Sequence, residues 1–226
     1  METLLAVGTL AIGLVFVAGT FLAGVYLATI STEGTIATVV ADEAFAKIRL
    51  YAVDPNLAAL PTDGYVSCDQ LLTIPDEERD YPSTVATNKQ YYWTALCKHV
   101  DADSRLVDVM VFVCRRATKD APDPVQITLA EAPPGSLDTD VSVVGTVAET
   151  GADAWLQVGD GAMLVDNSTG EVYRVLERYT SPQEQIRLDR PWTGIALGNA
   201  SAWIVPRPQT GTRNPLVAVY QKVLRF

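Results

Sequence analysis

One histidine, three cysteines and 17 lysines and arginines against 27 acidic residues leave this 226-residue chain short of the material for several kinds of chemistry. His99 stands alone near the end of a strand-like segment, so a histidine-based triad or metal cluster has little to work with, and no nucleophile and base arrangement of a hydrolase is recognisable. Cys68, Cys97 and Cys114 are too few for a disulfide framework, and their spacing matches no common zinc pattern. One pair with a cysteine left over is open to them, and at least one is expected as a small core residue. A net charge of −10 argues against a surface that is basic throughout, so nucleic acid is not an expected partner. Charge is also missing locally, and this gap organises everything else: residues 3–30 carry no formal side-chain charge over 28 positions.

That run is dominated by Leu, Val, Ala, Ile, Phe and Gly. As a helix it measures about 42 Å at about 1.5 Å per residue, enough to cross a hydrocarbon core of about 30 Å. It is too long for a signal-peptide core, and Met1-Glu2 supplies no basic flank. Beyond Ile30, the apolar positions Ile36, Val39, Val40, Phe45, Ala46, Ile48 and Leu50 continue among polar residues in a helical pattern, until Asp54-Pro55 supplies a stop. The pattern predicts one helix of about fifty residues, apolar all round in its first half and amphipathic in its second. Such a helix suits a chain that packs against copies of itself and against its own head. Glu2, at the edge of the apolar run, needs water, protonation or a cationic partner if it is buried. Gly8, Gly13, Gly19 and Gly24 punctuate the helix, where small residues permit close helix contacts and weaken the helix itself.

The stretch from Met1-Glu2-Thr3-Leu4-Leu5 to Ile12-Gly13-Leu14-Val15 resembles the start of type IV pilins and type II secretion pseudopilins. Mature chains of that family usually begin Phe-Thr-Leu-any-Glu, followed by an apolar helix. Glu2 matches the glutamate and Met1 the residue before it, so the sequence is expected to lack several N-terminal residues of the precursor, including the basic leader. The resemblance covers about the first fifty residues, and the rest in general layout. It implies an inner-membrane precursor, trimmed by a dedicated peptidase, methylated at its new terminus and drawn by a secretion or pilus assembly machinery into an extracellular helical filament of identical subunits. Glu2 would then pair with the terminal amine of a neighbouring subunit and enforce register. It also implies a helix that loses hydrogen bonding partway along when assembled, here around Gly13 to Gly19, against the alternative of an uninterrupted helix using glycine for packing.

Residues 55–88, with Pro55, Pro61, Pro75, Pro82 and the run Asp76-Glu77-Glu78-Arg79-Asp80, read as an irregular connector with a solvated charge run. Residues 90–100 and 106–116 read as a hairpin. In its second strand Val107, Val109, Val111 and Val113 share one face and Asp108, Met110, Phe112 and Cys114 the other, so both faces are expected to be covered, one of them by the second half of the helix. Pro122, Pro124, Pro133 and Pro134-Gly135 mark a change of organisation. Short strands are then expected at 141–147, 155–158, 162–165, 171–179, 185–188, 202–205 and 216–224, as an all-β barrel or sandwich closing on the C-terminus. The predicted fold class is α+β, with a helix at 1–53, a pilin-like head at 54–120 and a β module at 121–226. No cofactor is expected. Asp160, Asp166, Asn167 and Glu171 are candidate oxygen ligands for calcium, and equally ordinary turn formers. Asn167 and Asn199 fit the N-glycosylation pattern. Trp155, Trp192 and Trp203 are a candidate sugar-binding surface, or core. The competing reading of the whole is a single-span membrane protein presenting an extracytoplasmic binding module.

Overall fold

The computed structural model of the chain describes residues 2–52, 60–68, 74–82, 89–101, 105–116, 123–147, 150–180, 184–194, 200–206 and 214–226. It divides into two compact units, Met1–Val39 and Val40–Phe226. Helix α1 runs Glu2–Tyr51 and contributes to both. In the first unit it is helical through every glycine, Gly13 to Gly19 included. Large apolar side chains stand out all round it, among them Val15, Phe16, Phe21 and Leu22, with Phe16 70% exposed. Thr9 and Thr20 donate their hydroxyls to backbone carbonyls three residues earlier, and Thr29 and Thr32 to carbonyls four residues earlier. These four hydroxyls therefore satisfy themselves within the helix, which an apolar surrounding requires.

In the second unit, the last turns of α1 bury Val40, Ala41, Ala44, Phe45 and Ile48, a stripe at helical spacing, while Ala46 and Leu50 face outward. The sheet of this unit has the order β1-β3-β4-β11, with β2 also paired to β3. Its strands are β1 (Val66–Ser67), β2 (Asp80–Tyr81), β3 (Tyr91–His99), β4 (Leu106–Arg115) and β11 (Leu216–Arg225), all antiparallel. The expected hairpin is β3–β4, with Cys97 opposite Val109 and Lys98 opposite Asp108. Because opposed residues share a face, Trp93, Ala95, Cys97 and the four valines of β4 form one buried face. Lys222, opposite Val109, lies on it with its ammonium 5.5 Å from the Phe45 ring, which brings the helix stripe to this side. Leu96, Met110, Phe112 and Cys114 form the other face. Burial pushes the Cys114 thiol up to about 12, so it behaves as a small apolar side chain.

Six further strands make a closed antiparallel barrel, β10-β5-β6-β9-β8-β7. They are β5 (Val125–Glu131), β6 (Asp140–Val144), β7 (Met163–Asp166), β8 (Val172–Arg178), β9 (Gln185–Leu188) and β10 (Ala200–Ile204). The sequence expectation differs from this in four places. Residues 155–158 are not a strand but the core of a single helical turn, α3 (Ala154–Gln157), capped by Asp153, whose carboxylate accepts from Trp155 N–H at 3.0 Å. Strand β5 lies among the prolines read as a change of organisation, ahead of the first strand expected there, because Val125, Ile127 and Leu129 alternate inward. The last strand, expected in the β module, instead completes the sheet against β4, so the barrel is inserted between two neighbouring strands of that sheet. Finally, the connector contains β1, β2 and a helical turn, α2 (Asp76–Arg79). Its charges are anchored: Lys47 bridges Glu43 at 2.7 Å and Glu78 at 2.9 Å, and Asp80 pairs with Arg116 and Lys89.

Candidate functional site

Two places concentrate the unusual features of this chain, the uncovered helix and the seam between sheet and barrel. On the helix, Glu2 is exposed in the first turn, where a carboxylate is favoured by the helix dipole. Among the described residues, and apart from the adjoining turns of the helix itself, nothing lies within 4 Å of where a Cβ would stand on Gly8, Gly13, Gly19 or Gly24. At about 100° per residue, Gly8 and Gly19 fall about 20° apart on one face, Gly13 and Gly24 about 20° apart on another, and the two faces are about 140° apart. The glycines therefore leave two smooth strips that no contact within the chain uses.

The seam is built by two clusters of different chemistry. Its apolar part joins Tyr92, Leu96, Met110 and Phe112 of the sheet to Val165, Trp203 and Val205 of the barrel. Its polar part centres on Tyr65, 2% exposed, on the segment leading into β1. Tyr65 donates its hydroxyl to Asp108 Oδ2 at 2.6 Å and its backbone N–H to Asn167 Oδ1 at 2.9 Å. Gln221 of β11 donates to the same Asp108 oxygen at 2.8 Å. Lys98 lies 4.5 Å over the Tyr65 ring and donates to the Ser168 carbonyl at 2.6 Å. Burial first, then the Asp108 carboxylate, push the Tyr65 phenol well above its usual range, so it stays a neutral donor. Asp108 Oδ1, on a residue only 7% exposed, has no hydrogen-bond partner among the described residues. Tyr65 thus touches the sheet with one end and the barrel with the other.

Of the calcium candidates, Asp166 and Asn167 belong to this seam, and all four spend oxygens on their own neighbourhood. Asp166 Oδ1 accepts from Ser168 N–H and hydroxyl, both at 2.8 Å, and Oδ2 from Thr169 at 3.0 Å, which closes the turn after β7. Asn167 Oδ1 accepts from Trp203 Nε1 at 2.7 Å as well as from Tyr65. Glu171 Oε2 accepts from Tyr173 and Thr193 at 2.7 and 2.6 Å, which holds its carboxyl below the usual range. Asp160 accepts from the Arg178 N–H at 2.9 Å. Among the described residues no group of three or more His, Cys, Asp and Glu side chains is placed to hold a metal ion.

The Asn167 amide is also tucked against Gly64, its Nδ2 only 2.7 Å from the position of a Cβ there, which leaves it poorly placed to carry a glycan. Asn199 lies outside the described residues. The three tryptophans are not gathered on one surface. Trp155 and Trp192 pack on the barrel core, under the Arg178 guanidinium and against Tyr173 respectively, and Trp203 belongs to the seam. His99 ends β3 and donates its backbone N–H to Pro61 O at 2.9 Å.

Cys68 and Cys97 form a disulfide with a Cα–Cα distance of 5.6 Å, and Cys114 is the free, buried one. Sequence reasoning had not singled out Tyr65, Lys98 or Gln221. Its available signal was Asp108, one acid inside a strand of valines, methionine and phenylalanine, which demands donors from somewhere. Comparison of the chain with known protein families, with curated proteins and with solved structures finds no match.

Proposed function

We propose that this chain is a structural subunit of an extracellular, type IV pilin-like filament, with an inner-membrane precursor, and that its activity is assembly rather than catalysis. The observation that carries the reading is the uncharged stretch 3–30 of α1: apolar on every side, the hydroxyls of Thr9, Thr20 and Thr29 satisfied within the helix, and smoothed by two glycine strips that no other described part of the chain fills. Such a surface is unfavourable in water at roughly 25 cal/mol per Å² of apolar area, so lipid or other helices must cover it. Two strips on different faces provide for close contacts with more than one neighbour, as a helical polymer of identical subunits needs. Glu2 is assigned the register role, because a copy docked out of step would leave its carboxylate unpaired in a dry core. Burial of the last turns of α1 and the antiparallel sheet supply the pilin-like head, and the inserted barrel supplies the outer surface. The Cys68–Cys97 bond supports an extracytoplasmic location, since disulfides persist in oxidising compartments.

Electron microscopy of filaments sheared from the native cells, with mass spectrometry of the subunit's N-terminus, tests this. Filaments made of this chain, with a trimmed and methylated terminus in the wild type and no assembly in Glu2→Ala, are the expected result. A membrane-retained monomer indifferent to Glu2 would overturn it in favour of an anchored binding module whose working part is the barrel.

A further inference from the structure

Residues 65–68 act on both sides of the sheet within one short stretch. Val66 is opposite Cys97, so Cys68 reaches Cys97 on the face shared with Val109, while Tyr65 points to the opposite face and enters the seam. Among the described residues, two ladder residues, Val66 and Ser67, pair this stretch with β3 as a strand. A two-residue strand is weak by itself. The covalent bond adds a permanent tether to the His99–Pro61 hydrogen bond and the short ladder, and so helps keep Tyr65 within reach of Asp108 and Asn167, and with it the polar link from sheet to barrel. Both sulfurs are also out of reach from outside, since Cys68 is 0% and Cys97 3% exposed.

From this we infer that Cys68–Cys97 is a maturation latch for the seam: oxidation occurs with the loop lifted, and it then fixes Tyr65 between sheet and barrel, where the docked loop shields the bond from reduction. In the oxidation step the two thiols lose two protons and two electrons to an external disulfide. That disulfide is reduced to two thiols through a mixed-disulfide intermediate on one of the cysteines. Because the sulfurs are buried once residues 65–68 lie along β3, the exchange partner attacks before docking and not after. The polar link from sheet to barrel through Tyr65 is accordingly completed only in an oxidising compartment. The inference does not depend on the filament reading, because every residue it uses belongs to the second unit.

Coupling between bond and seam is reciprocal, so it is measured from both directions. The full chain in detergent micelles is treated with excess dithiothreitol, and the appearance of alkylatable Cys68 and Cys97 is followed by mass spectrometry. The bond is expected to be reduced at least tenfold faster in Tyr65→Ala than in wild type, with Tyr65→Phe, which keeps the ring and loses the hydroxyl contacts, in between. In the converse experiment, solvent exchange of the Trp203 indole N–H is followed in the Cys68→Ser/Cys97→Ser protein. It is expected to be at least tenfold faster than in the oxidised wild type, while the amides of Leu129 and Val143 in the barrel keep their protection. Absence of either effect overturns the inference. So does loss of protection throughout the double-serine protein, which would make the bond a general staple.

Discussion

At the scale of single residues, the seam shows how one buried carboxylate decides which other residues matter. Asp108 sits in a strand whose neighbours are apolar, and, among the described residues, one of its oxygens already lacks a partner. Removing the Tyr65 donor from the other leaves it, among the same residues, the Gln221 amide. Tyr65→Phe is therefore expected to destabilise the second unit by about 1–3 kcal/mol, the cost of an unsatisfied buried polar group, as read from the midpoint of urea unfolding. Glu171 carries a pH signature of the opposite kind, on the surface of the barrel. Hydrogen bonds from Thr193 and then Tyr173 lower its pKa from the ordinary 4.5. The stability it contributes is thus present above about pH 4.5 and is lost as pH falls through its lowered folded-state value. A series of melting temperatures between pH 7 and pH 3 should decline less steeply for Glu171→Gln than for wild type; identical slopes would show that the carboxylate is not linked to folding.

At the scale of elements, α1 is one helix doing two jobs. Its last turns form an ordinary amphipathic stripe, so position along the stripe predicts consequence. Ile48, 1% exposed, faces inward, and Ile48→Ala should cost about 2–5 kcal/mol by leaving a cavity. Leu50, two residues away and 77% exposed, should tolerate the same change within about 0.5 kcal/mol. Comparable losses at both positions would mean that the stripe is misassigned. The strands illustrate a second point. Residues 155–158, Trp-Leu-Gln-Val, have the composition of a strand, yet Asp153 caps a helical turn there and Trp155 packs under Arg178. A local cap and one aromatic anchor outweigh β propensity when the segment is only four residues long.

For the whole molecule, insertion of the barrel between β4 and β11 means that its entry and exit are adjacent. Arg115 N–H donates to Pro215 O at 2.7 Å, and its guanidinium to Asn214 O at the same distance. The Cys68–Cys97 bond closes a sequence separation of 29 residues, worth roughly 3–4 kcal/mol in chain entropy alone. Assembly belongs to this scale too. Gly19→Leu adds a side chain where nothing within 4 Å belongs to the chain itself, and it removes a glycine that costs a helix about 1 kcal/mol. On the proposed filament reading, the variant is expected to be as helical as wild type by circular dichroism in detergent, or more so, while filament yield from cells falls. Normal filament yield would show that this glycine strip is not an assembly surface.

Local rules were enough for the long helix, its two-part character and the β3–β4 hairpin. The uncharged run at 3–30 and the alternation of Val107 to Val113 are patterns of near neighbours, which backbone geometry converts directly into structure, while the stop expected at Asp54-Pro55 lies outside the described residues. The turn at residues 166–170 was legible for the same reason: Asp166 bonds Ser168 and Thr169, two and three residues away. What the amino-acid order left undecided are the long-range choices. Which two of three cysteines join, whether the last strand closes the barrel or completes the sheet, and that Tyr65 serves Asp108 and Asn167 all depend on which surfaces meet. Val217 to Val223 would read as the same strand in either sheet. Its place beside β4 is decided by burial and ladder pairing across more than a hundred residues, and only the folded chain brings those partners together.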